Sequence, residues 1–396
     1  MEPLCNETSG ARLRAMSNPD TFCILPWVHL YGSVDGIWGR CCVDATTYPG
    51  GASPQKLRSD ALGCSAHSSH VLANEGRRMD LLAAFNSIAM KETRLAMLDG
   101  LRLDACQYCY ARERAGARSY RQIANDLFPL DGTVRELVES TSDDGHLNGF
   151  PRYLDIRLEN ACGLACIMCD YPVSSTIGVK QGMSPRAARL DTYAQDEELW
   201  AILEANAHHI ERVYFAGGEP LQQRMHLRFL DLLIARGRPE HTTLAYSTNL
   251  MLIPDGWLER LKRFRSIDIG ASCDGIGEVF ERIRLGARWE TFARNVRRVR
   301  AEFPVRLAVT VQRDNAAHLE ELIQWAVLEH CELDMSNLLL HPEELCVTSL
   351  PIVDRETLAR QYDQSAARYM TSGLRGIAEQ LESLASILRA QGHALE

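Results

Sequence analysis

The stretch Asn160-Ala-Cys162-Gly-Leu-Ala-Cys166-Ile-Met-Cys169-Asp170 brings three thiols within eight residues, with three and then two residues between them. It follows Tyr153–Leu158, an aliphatic run that reads as a β-strand, so the thiols belong to the loop at a strand end. Thiolates are soft ligands suited to iron–sulfur clusters, and a cubane has four irons to ligate. Three cysteines leave one iron open. An open iron can chelate the amino and carboxylate groups of a small molecule, and electron transfer into a bound sulfonium would break its carbon–sulfur bond. With a fourth ligand, such as Asp170 or a distant histidine, the same thiols would make a zinc site instead.

Downstream of this loop, short β-branched or aliphatic runs alternate with helical patterns, the signature of βα units around a parallel sheet. Six strands are expected: Tyr153–Leu158, Val213–Ala216, Thr243–Ser247, Ile267–Ser272, Arg306–Val311 and Met335–Leu340. Each gap is long enough for a right-handed crossover helix. Six units fall short of the eight of a closed TIM barrel, so the expected fold is α/β, a partial (β/α)6 TIM-like barrel from about Phe150 to His341 with ligands at the C-terminal strand ends. The chain divides into 1–149, rich in cysteine, glycine and proline, 150–345, the barrel, and 346–396, a helical extension. The first part has one expected helix near Asp80 to Leu98 and a thin core of its own. In the last, Arg355 to Ala390 carries Leu374, Ile377, Leu381, Leu384 and Leu388 at helical spacing, a face for packing on the barrel or on a second copy of the chain.

Two further motifs stand at strand ends: Gly217-Gly218-Glu219-Pro220 after the second strand and Ser272-Cys-Asp274-Gly275 after the fourth. Glycines let a backbone approach a ligand closely, and a carboxylate beside them can accept bonds from an ammonium group. With the cysteine loop, these motifs resemble the radical S-adenosylmethionine superfamily, whose hallmark is the three-then-two spacing after the first barrel strand. Met168 departs from the aromatic residue that many members carry before the third cysteine. The resemblance implies a 4Fe-4S cluster on Cys162, Cys166 and Cys169, which are also the catalytic residues, and S-adenosylmethionine as cofactor. It implies further that Gly217, Gly218 and Glu219 hold the methionine amino group, and that Ser247, Asn249, Ser272 and Arg284 contact the ribose or carboxylate. Turn or cap roles for the serines and the asparagine, and a surface ion pair for Arg284, are the plainer alternatives.

The first third holds Phe22-Cys23-Ile-Leu-Pro26-Trp27-Val-His29, Asp35-Gly36, Cys41-Cys42, Phe85-Asn86-Ser87, Arg94, Met97-Leu-Asp-Gly100 and Cys106-Gln-Tyr-Cys109, then Glu113, Gly116, Ser119 and Arg121. Together these resemble the twitch and SPASM type of auxiliary-cluster module, although in many relatives it follows the barrel. The resemblance implies a second 4Fe-4S cluster on Cys23, Cys41, Cys106 and Cys109, with Cys42, or Cys64 from an insertion over Ala45 to Asn74 that also holds His67 and His70, as the alternative ligand. Four cysteines also suit structural zinc, and either metal would staple a segment with little core.

Thirteen cysteines in a secreted chain would suggest disulfides, but their grouping favours metal ligands in a reducing compartment; Cys5, Cys273, Cys331 and Cys346 stand apart. At 396 residues and 46% hydrophobic content the chain can bury a large core. A net charge of −9 without a long basic stretch turns the expectation away from nucleic acid, and without an apolar run of spanning length or a signal segment at Met1 to Asp20 the expected compartment is the cytoplasm. The expected activity is cleavage of S-adenosylmethionine to a 5′-deoxyadenosyl radical that removes hydrogen from a substrate, with flavodoxin or ferredoxin as electron donor. No winged-helix-like leader-binding segment is recognised at either end, which favours a small molecule from natural-product metabolism over a peptide. Sulfur insertion from the second cluster follows from the resemblance alone. A non-catalytic iron–sulfur redox or sensor protein is the reading of another class, and it would not need Gly217-Gly218-Glu219.

Overall fold

The computed structural model describes residues 20–44, 80–114 and 118–389. One sheet organises them: β1 (His29–Gly32), β2 (Trp38–Gly39), β3 (Tyr153–Ile156), β4 (Arg212–Phe215), β5 (Thr243–Thr248), β6 (Ser266–Ser272), β7 (Val305–Val311) and β8 (Glu332–Leu338). Their order is β2-β1-β3-β4-β5-β6-β7-β8. All neighbours are parallel except β1 and β2, which form an antiparallel pair. The six strands expected from sequence are β3 to β8, with ends within three residues of the expected ones. The sheet also begins upstream of them, because β1 pairs with β3 from His29 opposite Tyr153 to Gly32 opposite Ile156.

Alternation along the strands separates the two faces. In β7, Val305, Leu307, Val309 and Val311 are buried while Arg306, Ala308 and Thr310 between them are partly open. The apolar face packs on the crossover helices. The Phe215 ring of β4 meets Phe229 of helix Arg224–Arg236 edge-on at 5.8 Å and stacks on Tyr246 of β5 at 5.2 Å. Burying each such side chain contributes about 1.5–3 kcal/mol. The other face is polar: Asp155 and Arg157, Tyr214, Ser247, Asp268, Ser272 and Arg306 share it by register. A closed TIM barrel fills this space with branched aliphatic side chains; here it is a lumen lined by charge.

The helix expected near Asp80 to Leu98 is two, Leu81–Phe85 and Ile88–Leu98. Asn86 interrupts it by pairing with the Leu147 backbone in both directions, and Ser87 caps the second helix by accepting from Met90 N. Arg94, fully buried, donates to the carbonyls of Pro26, Phe85 and Gly145, and Arg121 donates to Phe22 O and pairs with Glu113. These arginines tie the cysteine-rich segment together, and its apolar residues join the core of the barrel. The C-terminal helical stretch is also split, into Ile352–Thr371 and Arg375–Arg389, by a turn where Gly373 adopts a φ of +80°. Leu381, Leu384 and Leu388 are buried, Leu374 and Ile377 half-buried. Ala390 lies outside the described residues, as do Cys5, Cys64, His67, His70 and Gly116.

Candidate functional site

The three-thiol loop leaves β3 and is held from several directions. Asn160, fully buried, donates to Pro172 O at 3.0 Å and Ala188 O at 2.8 Å and accepts from Leu190 N at 2.8 Å. Ser174 Oγ donates to Leu164 O, Thr176 Oγ1 donates to Cys162 O, and Ser175 Oγ accepts from Cys162 N. On the far side, Ala165 N and Ile167 N donate to Leu285 O and Ile283 O, which fastens the loop around Arg284. A turn then closes with Cys169 N on Cys166 O at 3.0 Å.

Gly217 and Gly218 sit against this loop with φ of +72° and +53°. A Cβ on Gly218 would stand 2.8 Å from both Ala161 O and Asn160 C, so glycine is required by contact as well as by φ. Gly218 N donates to Val173 O and Glu219 N to Ala161 O. The Glu219 carboxylate, 1% exposed, is already engaged: Oε1 accepts from Leu221 N at 3.0 Å and Thr248 Oγ1 at 2.6 Å, and Oε2 from Asn249 N at 2.6 Å. Burial raises its pKa, and these donors oppose the rise. Glu219, expected to meet an ammonium group, has three of about four acceptor sites taken here, two by Thr248 and Asn249 at the end of β5 and one by Leu221 N of its own turn. Its effect on the site runs through Asn249, whose Nδ2 lies 3.9 Å from Cys162 Sγ.

Arg284 is buried and is no surface ion pair. Its Nη2 meets Asp274 Oδ2 at 2.7 Å, Asp274 also accepts from Thr310 N, and Nη1 lies 4.0 Å from Cys166 Sγ. Ser247 and Ser272, half-buried at the ends of β5 and β6, lie on the lumen side opposite Gly270 and Ala308, and Ser247 reaches the Tyr214 hydroxyl. Burial pushes the thiol of Cys162 up to about 11 and that of Cys169 to about 12, the latter helped by Cys166 and Cys162. Cys166 is also raised by burial, with Arg284 pulling against it. The three thiols are therefore neighbours, with an amide and a guanidinium aimed at two of them. This donor set fits a cluster whose sulfur carries negative charge.

The N-terminal thiols form a second group. Burial lifts Cys23 far above the ordinary range, with Cys106 and Cys109 adding to it. Cys41 is likewise raised by burial, then by Cys42, Asp44, Cys106 and Cys23, and Cys106 is pushed up to about 12 by burial and by Cys109. Cys42 faces the other way: burial and Asp155 push it up to about 12 against Arg157, and it bonds Asp155 and Tyr120. Adjacent cysteines thus divide between the thiol group and the lumen. Among the described residues, no three Cys, His, Asp or Glu side chains converge on a point that a single metal ion would occupy. Sequence reasoning missed Asn160, Asp155 and Arg157 as site residues; the period-two alternation along β3 and just past it was the available signal for Asp155 and Arg157.

A partial parallel barrel with three clustered thiols after a strand and a Gly-Gly-Glu turn after the next defines a cofactor-binding barrel of the iron–sulfur class. Residues 156–326 match the family model described as the radical SAM superfamily. No curated protein matches the chain closely. Among solved structures, Streptococcus suis SuiB bound to S-adenosylmethionine is similar at 14% identity and a TM-score of 0.39, over 72% of this chain and 62% of that one. SuiB bound to precursor peptide SuiA has 14% identity and a TM-score of 0.42, over 72% and 63%. Native anSMEcpe with bound AdoMet has 19% identity and a TM-score of 0.42, over 56% and 62%. The chain thus spans less than two thirds of the length of these structures. No helix among the described residues is long and apolar enough to cross a membrane.

Proposed function

We propose that the protein binds a 4Fe-4S cluster through Cys162, Cys166 and Cys169, cleaves S-adenosylmethionine reductively, and removes hydrogen from a small polar substrate held in the lumen. The observation that carries this reading is the approach of Asn249 and Arg284 to the sulfurs of Cys162 and Cys166 at 3.9 and 4.0 Å, within a loop braced by Gly218 and Glu219. When bound, cluster and cofactor together supply a carbon-centred radical. The chain's own part is to fix and shield them. Arg284, neutralised by Asp274, offers a cation to the anionic cluster side; Glu219 holds the β5 end in register; Ser247 and Ser272 stand on the lumen side where the cofactor's ribose would lie. Arg112 reaches across from helix Gln107–Arg114 to Ser336 O at 2.9 Å, linking the cysteine-rich segment to β8.

The mutual proximity of Cys23, Cys41, Cys106 and Cys109 supports a second cluster on those four, with Cys42 left to the lumen. Protein reconstituted without oxygen should hold about eight irons per chain, falling to about four in the Cys106→Ala, Cys109→Ala double variant. Zinc in place of the second set of irons would rule that cluster out. With dithionite or flavodoxin as reductant, the wild type should convert S-adenosylmethionine to 5′-deoxyadenosine, and alanine at Cys162, Cys166 or Cys169 should abolish this while the second site stays filled. Full 5′-deoxyadenosine yield from any of the three variants would overturn the assignment.

A further inference from the structure

We infer that Arg157, at the C-terminal end of β3, anchors a carboxylate of the substrate in the lumen. The inference rests on the proposed use of the lumen as the substrate site. Arg157 N donates to Gly32 O at 2.8 Å just past β3, and alternation sends its side chain to the polar face with Asp155. β1 and β4 flank β3 and place Tyr31 and Tyr214 beside it, so that the guanidinium carbon lies 5.6 and 5.2 Å from the two ring centroids. The stem runs over Gly217, where a Cβ would stand 2.7 Å from Arg157 Cδ; Gly217 thus also makes room for the arginine.

The guanidinium has more donors than the protein satisfies. Asp155, fully buried, takes Nη2 at 3.0 Å. Nε is buried without a hydrogen-bond partner, and Nη1 makes no hydrogen bond among the described residues. A buried donor on a cation is costly to leave unmade, so an acceptor belongs beside Nε in the working state. The other inward arginines differ in place and in their ion pairs, although Arg212 Nε is likewise buried without a hydrogen-bond partner. Arg212 and Arg306 stand at the beginnings of β4 and β7, where Arg212–Asp268 at 3.6 Å, Arg306–Asp268 at 3.2 Å and Arg306–Asp334 at 3.0 Å form a chain of alternating charge. Arg157 alone of the three stands at the strand end that carries the thiol loop and Gly217-Gly218-Glu219. Rings from both flanking strands stand beside the guanidinium, and a flat carboxylate is the group that a guanidinium holds with two parallel bonds.

The test uses anaerobically reconstituted protein with S-adenosylmethionine and ligand-observed saturation-transfer NMR, with acetate as the probe and acetamide as its neutral counterpart. Acetate should receive saturation and acetamide little. In Arg157→Gln the acetate signal should fall severalfold with iron content and cofactor affinity unchanged, and in Arg157→Lys it should persist at a reduced level, which keeps the test open if the glutamine variant fails to fold. Equal acetate signal in wild type and Arg157→Gln would overturn the inference. So would a loss of about tenfold in S-adenosylmethionine affinity in that variant, which would give Arg157 to the cofactor, or inorganic phosphate binding better than acetate at Arg157. Wild-type protein that holds acetate at Arg157 yet makes no 5′-deoxyadenosine overturns the proposed reaction and leaves the anion site standing.

Discussion

Asn249 joins Glu219, 30 positions before it, to Cys162, 87 positions before it. Its backbone N–H is held by Glu219, and its side chain is aimed at Cys162 Sγ. Replacing Glu219 by Ala leaves Leu221 N, Asn249 N and the Thr248 hydroxyl without their acceptor, at about 1–3 kcal/mol for each donor that stays buried and unmet. Glu219→Ala should therefore lower unfolding stability by about 3 kcal/mol or more, read in urea, and weaken S-adenosylmethionine binding without removing iron. An unchanged midpoint would show that water or a neighbour replaces the carboxylate. The sequence made the three thiols of the loop legible because ligand spacing is a local property. It held no sign of the bonds Glu219 makes to Thr248 and Asn249, since a carboxylate beside glycines reads the same whether it faces a ligand or a neighbouring strand end. Likewise Cys41 and Cys42 differ by one residue in sequence and by a whole environment in space, which only the fold resolves.

At the scale of elements, the cysteine loop is a structure without regular hydrogen bonding whose shape is set by side chains around it. Asn160 satisfies three backbone groups of the 172–190 segment, and Gly218 abuts the backbone at Asn160 and Ala161. Gly218→Ala would place a Cβ against atoms that cannot rotate away, at a φ that L-residues rarely adopt. It should displace the loop and cut iron retained at the first site after desalting, measured against the second site as an internal reference; full retention would show that the loop can shift without losing its ligands. The barrel strands were readable because most alternate aliphatic or aromatic residues with small or polar ones, as Val305–Val311 does. β1, His-Leu-Tyr-Gly, has no β-branched residue, and its partner β3 is far away in sequence. Asn86 gave no sign of a helix break, because its pairing with Leu147 is tertiary.

Across the whole molecule, buried histidines set the response to acid. His226, fully buried with Nε2 2.9 Å from the Tyr246 hydroxyl, has its pKa lowered by burial to about 3, and His29 is lowered to about 3 in the same way. The unfolded chain takes up protons near 6.5 that the native state refuses, so stability is fully present above that pH and falls as pH drops toward 3. At pH 5 each of these histidines should cost about 2 kcal/mol. Urea unfolding between pH 7.5 and 5 should show a slope near two protons, reduced by about one in His226→Phe; an unreduced slope would place the effect elsewhere. The sheet that buries these side chains also imposes an order on biosynthesis. β1 leaves the ribosome more than a hundred residues before β3, a wait on the order of ten seconds at usual elongation rates. Throughout that interval one side of β1 is an open edge, able to template a foreign strand, while Cys23, Cys41, Cys106 and Cys109 have all emerged before Cys162 is translated. On the proposed second cluster, the nascent chain would meet iron at the N-terminal thiols first, and a chaperone guarding that edge until Tyr153 appears would be guarding those thiols as well.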